Sequence, residues 1–478
     1  MGPLCLPMVS DAGRKNVLTA SVLGSALAPF MVSALVVALP AIADDFSADA
    51  VSLGWLTNVF FLSAAVFLVP LGRIADMHGV KKVFLTGLGV YVLSSLLSLL
   101  APSLAFLIMA RFVTGIGGGM IFGTSIALLS LAFPESERGR AIGINVTGMF
   151  AGFLLGFFLG GLLTFYVGWR SIFLMVIPVA LAAMGLILLR IRGECELSRS
   201  RSADIPGMIL YPLSLLLIMI GFTTLPRPAG VAVLAAGAAA LAGFICWELR
   251  AGSPLLDPRL FSRNRTFARA NLAAFLFNTS NFAVIFLLSL YLQDIRGFDA
   301  RLSGSILLTT VVFMALFSPY TGRLSDRTAP RAVVGAGVVL SSLGLLVLAF
   351  LGEDTPVPVI LVALAVMGAG FAFFQPPLLR TVVSSVPREM FGLASGMVET
   401  MRLTGMTVSI AITTIAYSLV LGTTHVTPGV SVGFLAAARS ILWIFVGISL
   451  AALAVALTLP GRPGGGRGSP RGNEGIRK

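Results

Sequence analysis

Charged residues are scarce in this chain of 478 residues. Only 11% are Asp, Glu, Lys or Arg, whereas 57% are hydrophobic, and the mean hydropathy is +0.98. Charged residues make up about 25% of a typical soluble domain, so this chain has too few to cover a water-soluble surface. The composition excludes a soluble enzyme, a disordered protein and a secreted disulfide scaffold. It indicates a polytopic membrane protein.

Cysteine and histidine are rarer still. The three cysteines, Cys5, Cys195 and Cys246, are too scattered for a disulfide framework or a zinc site, and the only histidines are His78 and His425. The chain has no GxxxxGK[ST] phosphate-binding loop. We therefore expect no metal, no cofactor and no nucleotide-driven motor. Because no nucleophile–base or metal constellation is visible either, we expect that the protein is not an enzyme.

Long hydrophobic runs dominate what is present. A membrane-spanning helix needs about 20 apolar residues, and the sequence contains fourteen such segments. They lie at 17–43, 53–71, 83–101, 104–132, 141–166, 171–190, 206–225, 229–248, 269–293, 304–321, 332–351, 356–379, 391–421 and 434–459. The predicted fold class is an all-α polytopic membrane protein.

The net charge of +13 follows the predicted topology. Of the 33 Lys and Arg residues, 26 fall on the side of the N-terminus, 5 fall on the opposite side, and Arg111 and Arg402 lie within segments. Since basic loops stay in the cytoplasm, this bias places both termini inside an inner (plasma) membrane. It also removes the argument for a nucleic-acid partner.

The chain contains an internal repeat. The stretch Gly72–Asp76 reads GRIAD and returns as GRLSD at Gly322–Asp326, and a glycine pattern that begins at Gly115 returns 253 residues later. Parallel halves of this kind are typical of secondary transporters. The predicted organisation is a cytoplasmic N-terminus at 1–16, a six-helix half at 17–192, a loop with two inserted, peripheral helices at 193–250, a second six-helix half at 251–459 and a disordered tail at 460–478.

Several motifs together resemble the major facilitator superfamily, and within it the fourteen-span drug:proton antiporter branch. The motifs are the loop 72–82, the span-4 sequence that begins at Arg111, the span-5 glycines Gly143, Gly152, Gly156, Gly160 and Gly161, the stretch 169–178, and Trp247 to Arg265. The resemblance covers most of residues 17–459. It implies the major facilitator fold and transport by alternating access.

Three positions depart from the antiporter pattern. Met31 and Val36 stand where an Asp and an Asn are usual, and Phe157 stands where the antiporter motif has Pro. Proton coupling therefore stays open at this point.

Charge within a span is costly and points to function. Arg111 is one candidate for coupling; its alternative is a side chain that extends to the interface. Glu399 and Arg402 lie three residues apart on one face of a helix. They form either a titratable pair or a permanent structural ion pair.

The repeated loops are candidates for a cytoplasmic latch that holds the halves together. Their residues are Gly72, Arg73, Asp76, Gly79, Lys81, Gly322, Arg323, Asp326 and Arg327. In this hypothesis Gly72 and Gly79 permit a tight turn and close helix approach, and Asp76 caps a helix or pairs with a basic residue. The alternative is an ordinary polar turn.

The resemblance also implies which residues line the cavity. The candidates for substrate contact are Met31, Asn271, Phe277, Asn278, Asn281, Phe374 and Gln375. A wall of aromatic rings with a few amides suits an amphiphilic organic substrate. For the span-5 glycines we expect close helix packing rather than substrate contact.

The predicted function is export of hydrophobic or amphiphilic small molecules, in exchange for protons or without them. The protein is expected to be a monomer in the lipid bilayer. One alternative is a facilitator or uptake permease of the same fold, and another is a membrane sensor or assembly protein that transports nothing.

Overall fold

The structure, a computed structural model, describes residues 11–190, 204–225, 228–252, 255–256, 258–386, 391–421 and 431–461. In these residues the chain forms sixteen α-helices and one π-helical turn. The helices are α1 Asp11–Phe46, α2 Ala50–His78, α3 Val80–Leu99, α4 Leu104–Ala132, α5 Glu135–Tyr166, α6 Ser171–Arg190, α7 Ile205–Thr223, α8 Pro228–Glu248, α9 Arg259–Arg263, α10 Arg265–Asn281, α11 Ala283–Leu290, α12 Ala300–Arg327, α13 Pro330–Leu348, α14 Val357–Ser384, α15 Phe391–Leu421 and α16 Ser431–Leu457, with the π turn at Tyr291–Ile295.

Thirteen spans in the described residues are long and apolar enough to cross a membrane, and α15 adds a fourteenth long helix. The prediction of fourteen spans in an all-α fold is therefore confirmed. One span, Arg265–Ile295, combines α10, α11 and the π turn. It is interrupted at Phe282, and next to the interruption the Ala283 N–H donates to Ser409 Oγ at 3.0 Å.

Most helices extend beyond the predicted apolar segments. The helix α2 continues to His78 and α5 begins at Glu135, although the apolar runs cover only 53–71 and 141–166. A hydrophobic segment measures the hydrocarbon thickness of the bilayer, whereas a helix continues into the interface with polar residues until a cap ends it. The side chain of Asp49, for example, caps α2 by accepting from Ser52 N–H at 2.8 Å.

Both halves pack their helices in the same pattern. In the N-terminal half, α1 packs on α5 and α6, α4 on α2 and α3, and α3 on α6; in the C-terminal half, α10 packs on α15 and α16, α14 on α12 and α13, and α13 on α16. The repeat in the sequence is thus a repeat in space.

Glycines mark equivalent close approaches in the two halves. A Cβ at Gly117 would lie 3.0 Å from the carbonyl oxygen of Gly87, and a Cβ at Gly370 would lie 2.8 Å from that of Gly337. Each pair joins the third and fourth helices of its half. No larger residue fits where two backbones come this close, which explains why the glycine pattern repeats.

We call the end of the bundle at which α1 begins the basic end, and the end at which α1 finishes the opposite end. The two halves pack against each other through three pairs of helices. These pairs are α5 with α12, α2 with α15, and α1 with α11. Gly161, near the end of α5, would place a Cβ 2.8 Å from the carbonyl oxygen of Ala300 at the start of α12. In the described residues no close packing joins α4 or α5 to α14 or α15. Among the described residues, the packing between the halves is therefore concentrated towards the opposite end.

The inserted helices do not both lie at the periphery, so this expectation is wrong for α7. In the described residues α8 packs mainly on α7, whereas α7 also contacts α2 and α15. Met219 of α7 is buried in a cluster with Leu62 and Val66 of α2 and with Val408 of α15. One inserted helix thus bridges the two halves.

Candidate functional site

A cleft lies between the two halves in the middle of the bundle. Its lining comes from α1, α2, α4 and α5 of the N-terminal half and from α15 of the C-terminal half. The lining residues are Ala28, Pro29, Val32, Phe60, Phe61, Phe122, Phe153, Arg402, Leu403 and Met406. The walls are therefore aromatic and aliphatic, with one cation.

That cation is held by a neighbouring carboxylate. Arg402 Nε donates to Glu399 Oε2 at 2.8 Å, and a second guanidinium nitrogen donates to Glu399 Oε1. The side chains are 16% and 25% exposed. Two parallel hydrogen bonds of this kind set the orientation of an arginine on a carboxylate. The predicted proximity is present, and the pair forms part of the cleft wall.

Arg111 is enclosed within the N-terminal half. It is 1% exposed, and its guanidinium carbon lies 4.9 Å from the ring centroid of Phe60, which itself lines the cleft. Its Nε and one terminal nitrogen have no hydrogen-bond partner in the described structure. The alternative of a side chain that extends to the interface is therefore wrong. The Phe60 ring therefore lies between the Arg111 guanidinium group and the cleft.

None of the seven predicted cavity residues is among those that line this cleft. Phe277 of α10 stacks on Phe374 of α14 with ring centroids 3.8 Å apart, and Gln375 donates to Asn278 Oδ1 at 3.4 Å. The other members, Met31, Asn271 and Asn281, are buried as well. In this conformation the aromatic wall expected from the sequence is packed inside the C-terminal half. There the two rings pack against each other and do not face the cleft.

The glycines of α5 differ in their surroundings. A Cβ at Gly152 would lie 3.0 Å from the Cα of Ala26, and one at Gly160 would lie 2.6 Å from the Cα of Ala34, both on α1. Gly156 lies against Phe30 of α1 and Gly161 against α12. The glycine at 143, in contrast, has nothing within 4 Å of an added Cβ.

The first repeated loop joins α2 to α3 through one residue. Gly79 has a φ of +105°, a conformation that favours glycine, and its N–H donates to the carbonyl of Ala75 at 3.0 Å. Gly72 lies inside α2 with room for a Cβ, so close approach does not require a glycine there. Arg73 and Asp76 lie in the last two turns of α2, and Lys81 lies in the first turn of α3.

The second repeated motif lies at the end of α12. Its residues Gly322, Arg323, Asp326 and Arg327 all belong to the last turns of that helix. An added Cβ at Gly322 would also meet nothing within 4 Å. The side chains of the other three are outside the described residues. The two loops occupy equivalent places in the halves, and a latch role for them stays a prediction.

Polar contacts join the halves at the opposite end. Ser289 Oγ donates to the carbonyl of Val36 at 2.6 Å, and Gln293 Nε2 donates to the carbonyl of Val37 at 3.1 Å. Both side chains belong to the span that contains α11 and the π turn. They close the bundle beyond the cleft on this side.

Three further carboxylates have unusual surroundings that the sequence did not reveal. Asp294 lies in the π turn, one residue beyond the predicted segment 269–293. Asp204 and Glu248 bound the inserted helices and are both buried. Each lies at the edge of an apolar run, where a sequence pattern does not distinguish an exposed from an enclosed residue. Their positions beside helix ends were a signal for all three, and Glu248 also lies in the motif from Trp247 to Arg265.

Comparison with known proteins agrees with this architecture. Multidrug resistance protein Stp from Mycobacterium tuberculosis is 32% identical over 84% of this chain and 75% of its own length. Cephamycin export protein CmcT from Amycolatopsis lactamdurans is 32% identical over 93% of this chain and 92% of its own.

Solved structures share the fold at low identity. A bacterial homolog of the human lysosomal transporter Spinster, in an inward-facing and unoccupied conformation, superposes with a TM-score of 0.68 at 18% identity, covering 94% of this chain and 97% of that one. The sequence profile of the Major Facilitator Superfamily matches residues 21–401 and 270–478. With two repeated six-helix halves around a central cleft, the chain is a membrane transporter that belongs to the Major Facilitator Superfamily.

Proposed function

We propose that this transporter exports hydrophobic or amphiphilic small molecules by alternating access. The observation that carries the proposal is the cleft between the halves, which Phe60, Phe61, Phe122 and Phe153 line together with the cation of Arg402. Such a lining suits an amphiphilic molecule, because it offers apolar contacts and one charged contact. The names of the relatives, a multidrug resistance protein and a cephamycin export protein, support export as the direction.

The distribution of contacts supports a cytoplasm-facing resting state. The halves are joined at the opposite end by Ser289 and Gln293, whereas α4 and α5 do not pack on α14 and α15 in the described part of the chain. If the arginine-rich basic end faces the cytoplasm, a compound reaches the cleft from inside the cell. Export then requires that the contacts at the opposite end break.

Exchange for protons is the finer part of the proposal. A proton on Glu399 would cancel the charge that holds Arg402, and the two hydrogen bonds between them would weaken. Arg402 would then be available to a substrate in the cleft. The pair is thus a means by which proton binding changes the same wall that a substrate contacts.

The test is transport in proteoliposomes with the purified protein. A fluorescent amphiphile is the probe, and its movement is followed with an imposed pH gradient, with none, and after an ionophore collapses the gradient. We expect gradient-dependent accumulation that Glu399→Gln abolishes. Glu137→Gln, a change at an exposed glutamate on α5, serves as the matched control and should transport normally.

Two results would contradict parts of the proposal. Equal movement with and without the gradient would leave a facilitator and remove proton exchange. No movement of any compound in a broad panel, with the protein folded, would remove export and favour a sensor.

A further inference from the structure

The inserted helices α7 and α8 end side by side in two buried carboxyl groups. Asp204 caps the start of α7 and is 7% exposed, and Glu248 is the last residue of α8 and is 2% exposed. Because the helices are antiparallel neighbours, both groups lie at the basic end of the bundle. Neither belongs to the central cleft.

Each carboxyl group has one oxygen held by donors. Asp204 Oδ1 accepts from Trp247 Nε1 at 2.7 Å and from the Gly207 N–H at 3.1 Å. Glu248 Oε2 accepts from the Leu256 N–H at 3.2 Å.

The remaining two oxygens lie beside the same residue, Gly207. Asp204 Oδ2 and Glu248 Oε1 are both buried without a hydrogen-bond partner in the described residues. An added Cβ at Gly207 would collide with both of them, so the two oxygens border the same small volume beside that residue. Two lone-pair acceptors that face one volume need a donor or a cation between them.

No cationic side chain supplies that charge in the part of the chain that the structure describes. Among the described residues neither carboxylate forms an ion pair. On the adjoining segments Arg250 is exposed, and Arg259 of α9 donates to the carbonyl of Leu249 at 2.9 Å. Without a counter-charge, two adjacent buried carboxyl groups share a proton rather than ionise together.

The donors decide which group is the anion. Burial is the largest single effect and acts to raise the pKa of Asp204, but its hydrogen bonds, led by those from the Trp247 indole and the Gly207 N–H, together lower that pKa below its usual value. Asp204 is therefore the acceptor, and Glu248 is the group that carries the proton.

We propose that Asp204 and Glu248 form a proton-binding site that fastens the inserted helices to the C-terminal half. One proton on Glu248 Oε1 is donated to Asp204 Oδ2, while Glu248 Oε2 holds the Leu256 N–H. Leu255 and Leu256 are buried in the same cluster as Phe267 of α10 and Val386 after α14, so this hydrogen bond ties α8 to the second half. Loss of the proton places two like charges in contact and loosens the tie. This site is independent of the proposed export.

The first experiment measures thermal unfolding of the purified full-length protein between about pH 6 and about pH 9. The wild type should lose about 2–4 °C more than Glu248→Gln across this range, because the glutamine keeps a permanent donor. Asp204→Asn should also flatten the profile. Asp49→Asn, the cap of α2 at the opposite end, is the matched control and should follow the wild type.

The second experiment is infrared spectroscopy of the same proteins at neutral pH. The C=O stretch of a protonated carboxylic acid should be present in the wild type, disappear at alkaline pH, and be reduced by one group in Glu248→Gln. If that variant does not fold, the wild-type titration and Asp204→Asn still decide the question.

Three outcomes would overturn the site. They are an identical pH profile in the wild type and both variants, no protonated acid band that depends on Glu248, and stability that follows the concentration of Na⁺ or Mg²⁺ at constant pH. The last result would mean that a metal cation, rather than a proton, lies between the two oxygens.

Discussion

The side chain of Arg111 is a charge with little compensation. It is enclosed, it stacks on Phe60, and two of its donors have no partner in the described structure. A group kept at such an electrostatic cost is expected to serve function rather than stability.

We therefore predict that Arg111→Leu leaves the melting temperature unchanged or higher and reduces transport by about tenfold or more, equivalent to about 1.4 kcal/mol. Thermal unfolding and vesicle flux, measured on the same preparation, check both parts. Lys15→Leu, a change at an exposed cation of α1, is the control. Normal flux in Arg111→Leu would show that the charge is dispensable.

The pair of Glu399 and Arg402 permits a double-mutant cycle. Removing one member of a largely buried pair leaves the other charge uncompensated, a change that costs about 3–5 kcal/mol. We predict that Glu399→Gln and Arg402→Gln each lower stability, and that the double variant regains part of the loss. Denaturant unfolding of the four proteins measures the coupling. Additive losses would mean that the two groups do not stabilise each other.

At the residue scale the sequence predicted which side chains are unusual, but it did not predict what surrounds them. The pairing of Glu399 with Arg402 followed from helical spacing alone. The burial of Arg111 behind Phe60 did not, because that contact joins α4 to α2 and depends on how the helices are rotated. The stacking of Phe277 on Phe374 between α10 and α14 was not predictable for the same reason, and their role in the cavity stays a prediction.

At the scale of single helices, α5 offers a paired test of glycine packing. A Cβ at position 156 would enter the backbone of α1 at Phe30, whereas one at 143 would meet nothing within 4 Å. We predict that Gly156→Ala destabilises the protein by about 1–3 kcal/mol. Gly143→Ala should be neutral or stabilising by up to about 1 kcal/mol, because alanine favours helix. Thermal unfolding compares the two, and equal effects would contradict a packing role.

Helix existence was predictable from sequence because hydrophobic length alone decides it in a bilayer. Helix ends were not, since caps such as Asp49 lie beyond the apolar run. The bridging position of α7 could not be predicted from the sequence either. Its apolar composition is compatible with lipid on all sides, and only the buried contact of Met219 with α2 and α15 reveals where it lies.

At the scale of the whole molecule, alternating access requires the two halves to separate at the opposite end. Gly54 of α2 and Thr414 of α15 face each other there, and an added Cβ at Gly54 would lie 3.3 Å from the Cβ of Thr414. This separation is close to that of a disulfide. In a background without native cysteines, we predict that oxidised Gly54→Cys/Thr414→Cys protein stops transporting and that reduction restores flux.

A matched cross-link within one half is the control. Ser25 of α1 and Ser125 of α4 have hydroxyl oxygens 2.8 Å apart. The variant Ser25→Cys/Ser125→Cys should transport in both redox states, because a rigid half does not need to open. Undiminished flux in the oxidised cross-half variant would contradict separation at the opposite end.

The contacts that close the opposite end have an evolutionary consequence. Ser289 and Gln293 donate to the main-chain carbonyls of Val36 and Val37, not to their side chains. Every amino acid carries that carbonyl, so the closure imposes no chemical demand on positions 36 and 37 beyond an apolar side chain that fits. Tolerance to substitution should therefore differ between the two sides of this interface. Positions 289 and 293 need a side chain that donates a hydrogen bond, whereas positions 36 and 37 accept any apolar side chain that fits.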